Sequence, residues 1–305
     1  GAGRARSAGG ARRAARGPRS ARGADAAAVT AWGVALALGA SIVWAGANVF
    51  VQRSARQLGD VRAMFWAQLV GGTALLPLAA LAPPVRAPDP VDLAVTGLGS
   101  AFGYYGMLRG FRLAPLSVAT PLVASWALPA AVCGVVWSGE EPRLVQAVGA
   151  LLVIAGAAGN GALARGGEWM GPKAEALGWT IAGSVGFGVM AAGVARMQPA
   201  LGEVLVIPAA WACQWVLLAP VLLRRLPERP PAWGNVVALA LLEAVGFVLY
   251  AVATATAPVS VVSPPASLSP LFTVAWAAVV LREPVGAVRW GMIALAVVGT
   301  VLLAS

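Results

Sequence analysis

One eight-residue motif occurs twice in the sequence, each time at the start of a long apolar run. Residues 114–121 (APLSVATP) return as residues 257–264 (APVSVVSP), an offset of 143. In each copy a further proline interrupts the apolar run, a Glu-Pro pair ends it, and another apolar run follows. The chain is therefore a duplication. Proline-interrupted segments at matching positions of two halves are typical of carriers, because irregular backbone is tolerated inside a membrane only where it lines a cavity.

The composition gives the fold class. Hydrophobic residues make up 59% of the chain and charged residues 11%, whereas a soluble domain carries about 25% charged residues. The mean hydropathy is +0.78, and apolar runs near the roughly 20 residues that a membrane-spanning helix needs recur from Val29 onward. These properties predict an all-α integral membrane protein.

The polar breaks between apolar runs predict ten spans, five in each half. The first half holds 29–51, 62–81, 91–108, 115–138 and 144–163; the second holds 176–195, 203–223, 233–254, 258–281 and 286–304. Because five is an odd number, the second half must enter the membrane from the side opposite to the first. The prediction is two inverted five-helix repeats.

The halves divide the chain into four segments. Residues 29–164 form the first repeat, 165–175 a polar linker, and 176–305 the second repeat. Residues 1–28 are rich in arginine, alanine and glycine, and we expect them to be disordered. Such a tail fits a segment that binds anionic lipid, an organelle transit peptide, or a misassigned start.

Several function classes are excluded by residues that the sequence lacks. It has no histidine, its two cysteines lie in apolar runs, and Asp89 and Asp92 are its one close aspartate pair. Neither a catalytic constellation nor a metal or cofactor site is predicted. The net charge of +10 comes from the tail and from arginines that flank apolar runs, so we expect a lipid bilayer rather than nucleic acid as the partner.

The order of these elements resembles the EamA family of the drug/metabolite transporter superfamily. The resemblance rests on a proline-bearing helix, a stop at 138–142 (SGEEP) or 281–284 (LREP), and a glycine-containing last helix in each repeat. It covers about residues 29–305. It implies a ten-helix carrier in the cell membrane with a central cavity, cytoplasmic termini and export of small metabolites. The arginines between spans do not favour that orientation by the positive-inside rule, and the oligomeric state stays open.

Glu243 is the acidic residue placed deepest within a predicted span. A carboxyl group near the bilayer centre costs about 2.5–3.5 kcal/mol on insertion scales, so it normally faces a cavity or a partner. Burial also disfavours the charged form and makes reversible protonation available. We predict that Glu243 binds the solute or couples its transport to protons, with a structural carboxyl as the alternative.

Aromatic residues share the helical face of Glu243. Phe247 and Tyr250 lie four and seven residues further on, and Tyr104 occupies the corresponding face of the third span. Trp44 and Asn48, four apart in the first span, add a rigid wall and an amide. Such a recess suits an amphipathic or cationic solute through apolar contact and cation-π attraction, although aromatic stripes also occur as plain packing. Gln68 and Gln214 are candidates for bonds between helices.

Prolines and glycines complete the candidates. Pro129 and Pro270 remove helical hydrogen bonds and are predicted to be pivots or static kinks. Gly149, Gly156 and Gly291 are predicted to be sites of close helix packing. Taken together, the sequence predicts a secondary-active transporter of small metabolites or amphipathic solutes that works by alternating access. The alternative is a magnesium-type cation permease or a channel, which would require several carboxylates along its pathway.

Overall fold

A computed structural model describes residues 18–79, 85–162, 169–222, 233–272 and 286–304. Within these ranges every regular element is an α-helix, as the composition predicts. The helices are α1 (Pro18–Leu58), α2 (Asp60–Ala79), α3 (Pro90–Leu113), α4 (Leu116–Ala124), α5 (Ala127–Ser138), α6 (Leu144–Ala162), α7 (Lys173–Leu217), α8 (Ala219–Leu222), α9 (Trp233–Thr256), α10 (Val259–Ala266) and α11 (Ala287–Ala304).

Six helical segments within the described ranges are long and apolar enough to cross a membrane. They are Ala28–Leu58, Asp60–Leu78, Val118–Ser138, Lys173–Leu217, Trp233–Thr256 and Ala287–Ala304. The first helix begins at Pro18 and so includes the end of the tail that we expected to be disordered. Residues 1–17, and residues 163–168 at the start of the linker, lie outside the described residues.

Local breaks shape the longest apolar stretches. The 45-residue α7 contains the predicted span 176–195 and residues 203–217 of the predicted span 203–223, and Gly202 breaks it with φ 70° and ψ 176°. A residue with a side chain is strained at such a φ, so the glycine permits the break. Likewise, α4 ends at Ala124 and α5 begins at Ala127, with Pro129 in its first turn. The turn at Ser267 and Leu268 precedes Pro270 in the same way, and residues 273–281 of that span are outside the described residues.

Three long helix pairs form the body of the bundle: α3 packs along α7, α1 along α9, and α6 along α11. The α3–α7 contact is lined by glycines, and a Cβ atom added to Gly99 would lie 2.8 Å from the backbone nitrogen of Met190. Small residues let helix backbones approach closely inside a membrane, where packing replaces the hydrophobic effect as the source of association.

The α6–α11 pair tests the predicted packing glycines. A Cβ on Gly149 would lie 2.7 Å from the carbonyl oxygen of Gly299, and one on Gly156 would lie 2.6 Å from that of Met292. These two glycines do allow close packing. The prediction for Gly291 is wrong for the described residues, because none of their atoms lies within 4 Å of a Cβ placed there; Gly299, two turns further along α11, faces the partner helix instead.

Charged clusters mark the two ends of the α3–α7 pair. At one end Asp60 binds Arg112, with atoms 2.6 Å apart, and also Arg109 at 3.2 Å, while Arg109 reaches Glu175. At the other end Asp92 binds Arg196 at 3.0 Å. About 17 residues of α3 separate Asp92 from Arg109, or roughly 26 Å at 1.5 Å per residue. That distance is close to the thickness of a bilayer's hydrocarbon core.

Candidate functional site

A cavity of about 50 Å³ lies between α1, α3, α4, α7 and α9. Its lining includes five of the six predicted binding residues: Trp44, Asn48, Glu243, Phe247 and Tyr250. The sixth, Tyr104, lies directly behind Glu243. A cavity of this size has room for a few water molecules and no more.

The Glu243 side chain is held by a tyrosine from the other repeat. The Tyr104 hydroxyl donates to Oε2 of Glu243 at 3.2 Å, and the two residues are 3% and 6% exposed. The pair joins α3 to α9 across the cavity wall. This contact holds the one carboxyl group of the described lining at the cavity wall.

Aromatic rings surround this carboxyl group. Trp44 contacts Phe247 edge to face with ring centroids 5.0 Å apart, and Tyr104 contacts Phe247 at 6.1 Å. Trp126 from the α4–α5 junction packs edge to face on Tyr250 at 5.5 Å. Rings in such arrangements present both faces and edges to a cavity, and the faces attract cations.

Hydroxyl and amide groups complete the cavity wall. The amide nitrogen of Asn48 donates to Oγ of Ser269 in a long contact of 3.5 Å. The Tyr250 hydroxyl is 2.8 Å from Oγ of Ser263. This second contact ties α9 to α10 at the edge of the cavity, so Tyr250 both lines the cavity and fixes one of its walls.

A separate polar cluster lies one turn away along α3. Gln68 and Gln214 exchange two amide hydrogen bonds of 3.2 and 3.0 Å, and the Ser100 hydroxyl donates to Oε1 of Gln214 at 2.5 Å. All three side chains are buried. The two glutamines therefore join α2 to α7, as the alternative of bonds between helices predicts, and they do not line the cavity.

An open cleft of about 600 Å³ lies next to the cavity on the Arg196 side. Ala195 and Thr254 line the cleft, one helical turn beyond the cavity residues Ala191 and Tyr250. At its rim the Glu140 carboxylate accepts from the backbone nitrogens of Val259 and Ser260, at 2.7 and 2.9 Å. Carboxylates stabilise helix N-termini in this way, and here the contact joins the end of α5 to the start of α10.

The cavity also contains residues that the sequence analysis did not select as binding residues. They are Met107, Thr120, Val123, Ala124, Trp126, Phe187, Ala191 and Ser269. Thr120 belongs to the duplicated motif, and Met107 lies three residues after Tyr104 on the same face of the third span. Both could therefore have been selected from the sequence. Phe187 and Ser269 have no pattern that separates them from packing residues. No group of three potential metal ligands occurs among the described residues.

The fold is that of a helical membrane protein, and its described residues include a cavity lined by aromatic side chains. The sequence matches the EamA-like transporter family twice, over residues 31–161 and 175–305. The chain belongs to this family of transmembrane transporters, which confirms the resemblance inferred from its motifs. No curated protein matches the chain. One crystal structure with 20% identity covers 88% of this chain and 95% of its own, with a TM-score of 0.70. That likeness establishes the fold alone.

Proposed function

We propose that the protein is a secondary-active exporter of small amphipathic or cationic solutes, with protons as the coupling ion. The observation that supports this function is the buried Glu243 carboxyl group in the wall of an aromatic cavity. A carboxylate there is costly unless a proton or a cationic solute neutralises it. If a proton and a cationic solute exchange at this carboxylate, their transport is coupled, because only the neutralised site crosses the apolar interior at a low cost in free energy.

The test of this function is a flux measurement in proteoliposomes with an imposed pH gradient. A proton-coupled carrier accumulates an amine against its own gradient, whereas a channel only equilibrates it. A magnesium-type permease or channel is less well supported, because Glu243 is the one carboxylate among the lining residues described and cation pathways require several.

We propose a ten-span topology in which the second repeat is inverted, in the cell membrane with cytoplasmic termini. The contacts of the duplicated motif support the inversion. The first copy receives a 3.5 Å bond from Gln52 to the carbonyl of Ala114, beside the Arg112 cluster. The second copy binds Glu140 at the Arg196 cleft. The pairing of α1 with α9 and of α3 with the start of α7 is also exchanged between repeats, as a two-fold relation requires.

Single cysteines at Ala174 and Ala255 should label from opposite sides of the membrane. Both residues are exposed in the structure, and each lies near one of the two charged clusters. The background would carry alanine in place of Cys133 and Cys213, and an impermeant thiol reagent would be added to intact and to opened cells. Labelling of both positions from the same side would contradict the proposed crossing between them.

We further propose that Pro129 and Pro270 are pivots of alternating access. Pro129 packs on α7, where a Cβ added to Gly188 would lie 2.7 Å from the proline ring. Replacing Pro129 with alanine should slow transport by about tenfold or more and change equilibrium binding only a few fold, since gating and binding are separate steps. Turnover and binding in the same preparation measure the two effects. Parallel loss of folded protein and of transport would indicate a static kink instead.

A further inference from the structure

Thr120 and Ser263 occupy the same position in the two copies of the motif, 143 residues apart. They differ in their partners. The Ser263 hydroxyl is hydrogen-bonded to the hydroxyl of Tyr250 at 2.8 Å. The residue 143 positions before Tyr250 is Met107, which has no hydroxyl group to offer. The hydroxyl of the motif therefore has a hydrogen-bond partner on the preceding helix in the second repeat, whereas the matching residue of the first repeat cannot provide one.

The consequence is a buried hydroxyl with an unused hydrogen bond. Oγ1 of Thr120 is shielded from solvent and has no hydrogen-bond partner among the described residues, and the residue is 5% exposed. Buried polar atoms are nearly always paired, and an unpaired one calls for an explanation. Thr120 and Met107 both line the cavity that contains Glu243. The unused bond thus belongs to the wall of the candidate binding site.

The charged groups of the cavity lining restrict which chemical group of a solute can bind to the Thr120 hydroxyl. Glu243 is the one carboxylic acid of the lining, and neither lysine nor arginine contributes to it among the described residues. A solute carboxylate would be desolvated here without a cation to neutralise it, which is unfavourable. An uncharged hydroxyl or amide on the solute meets no such penalty and can exchange a hydrogen bond with Thr120.

We propose that the transported solute is an organic monocation with an uncharged polar group, which Thr120 binds while the ammonium group lies at Glu243. This inference rests on the proposed function and adds the second contact point. It makes Thr120 a specificity-determining residue: it selects between amines that share a cationic group and differ in a hydroxyl.

The experiment compares matched amines in purified protein reconstituted in lipid. Phenethylamine lacks a hydroxyl, tyramine and phenylethanolamine carry one at two different distances from the amine, and phenylalanine adds a carboxylate. Binding is measured by calorimetry in nanodiscs and flux in proteoliposomes with a pH gradient. We expect at least one hydroxylated amine to bind about three- to tenfold more tightly than phenethylamine, the range of one hydrogen bond, and phenylalanine to bind most weakly.

The variants locate the effect. Thr120→Val keeps the shape of the side chain and should remove the preference for the hydroxylated amine, while phenethylamine binds as before. Thr120→Ser should retain the preference. Ser41→Ala is the matched control, since Ser41 is also buried with an unpaired hydroxyl among the described residues but does not line the cavity; it should change nothing.

Other results of the binding and flux measurements would contradict the role of Thr120, the class of solute or the proposed function itself. A preference that survives in Thr120→Val, or the absence of any preference in the unmodified protein, overturns the role of Thr120 and leaves Glu243 as a cation site. Tightest binding by phenylalanine overturns the monocation class. If no amine binds or is transported, the proposed function fails as well, and that failure is visible in the unmodified protein before any variant is made.

Discussion

Replacing Glu243 with glutamine should abolish accumulation driven by a pH gradient and leave the protein folded. Glutamine keeps the size of the side chain and can still accept the hydrogen bond from Tyr104, but it cannot ionise. The variant site is neutral at every pH, so it exchanges neither a proton nor a cation, and accumulation of an amine should fall to the level of protein-free liposomes. Removing a buried charge lowers the cost of insertion, so the yield of folded protein should not fall.

Two controls separate coupling from packing. Glu141→Gln removes a carboxylate that is exposed outside the cavity and should leave accumulation unchanged. Tyr104→Phe removes the hydroxyl that holds Glu243 at 3.2 Å and should alter the pH dependence of transport while retaining accumulation. If Glu243→Gln transports at the rate and with the pH dependence of the unmodified protein, the carboxyl group is structural and coupling must be sought elsewhere.

The depth of residues within the predicted spans and their helical spacing were enough to select five residues that line one cavity in the structure. Glu243, Phe247 and Tyr250 follow helical spacing, and Trp44 and Asn48 do so on another helix, so each set faces one direction. All five line a single cavity because α1 packs along α9 in the structure. Their roles in binding and coupling stay predictions until transport is measured.

Contacts between distant segments could not be read from the sequence. The Glu140 carboxylate binds the start of α10, 119 residues away, whereas the Glu-Pro pair of the sequence motif contains its neighbour Glu141. The unpaired hydroxyl of Thr120 depends on where Met107 lies. The error at Gly291 has the same origin, because a glycine repeat gives the spacing along a helix but not the direction in which the helix is rotated.

The asymmetry of the two halves has a functional consequence. The Ser100 and Glu243 positions correspond across the duplication, yet Ser100 is bonded to Gln214 within a polar cluster whereas Glu243 faces the cavity. One copy of the position thus contributes to helix association and the other lines the cavity. Divergence after the duplication leaves a single carboxyl group among the described lining residues, which is what the proposed exchange of one proton for one monocation requires.

Replacing Gly106 with leucine should prevent assembly of the α3–α7 pair. A Cβ at this position would lie 2.5 Å from both the backbone nitrogen of Gly183 and the carbonyl oxygen of Trp179. Backbone atoms cannot rotate away as a side chain can, so the two helices would have to separate along the contact that also positions Tyr104 and the charged clusters at both ends. Overpacking costs about 1–3 kcal/mol even where side chains can adjust, and more is expected here. The yield of monodisperse protein in detergent should fall at least about tenfold.

Gly291→Leu provides the matched control, because Gly291 also lies within a helix but is exposed, and no atom of the described residues lies within 4 Å of a Cβ placed there. Leucine is the better helix former by up to about 1 kcal/mol, so this variant should express as well as the unmodified protein and melt at the same temperature or slightly above it. Size-exclusion profiles and thermal unfolding of the two variants, measured in parallel, test the α3–α7 contact. Equal yields and melting temperatures for Gly106→Leu and Gly291→Leu would show that the glycine contact is not required for the fold.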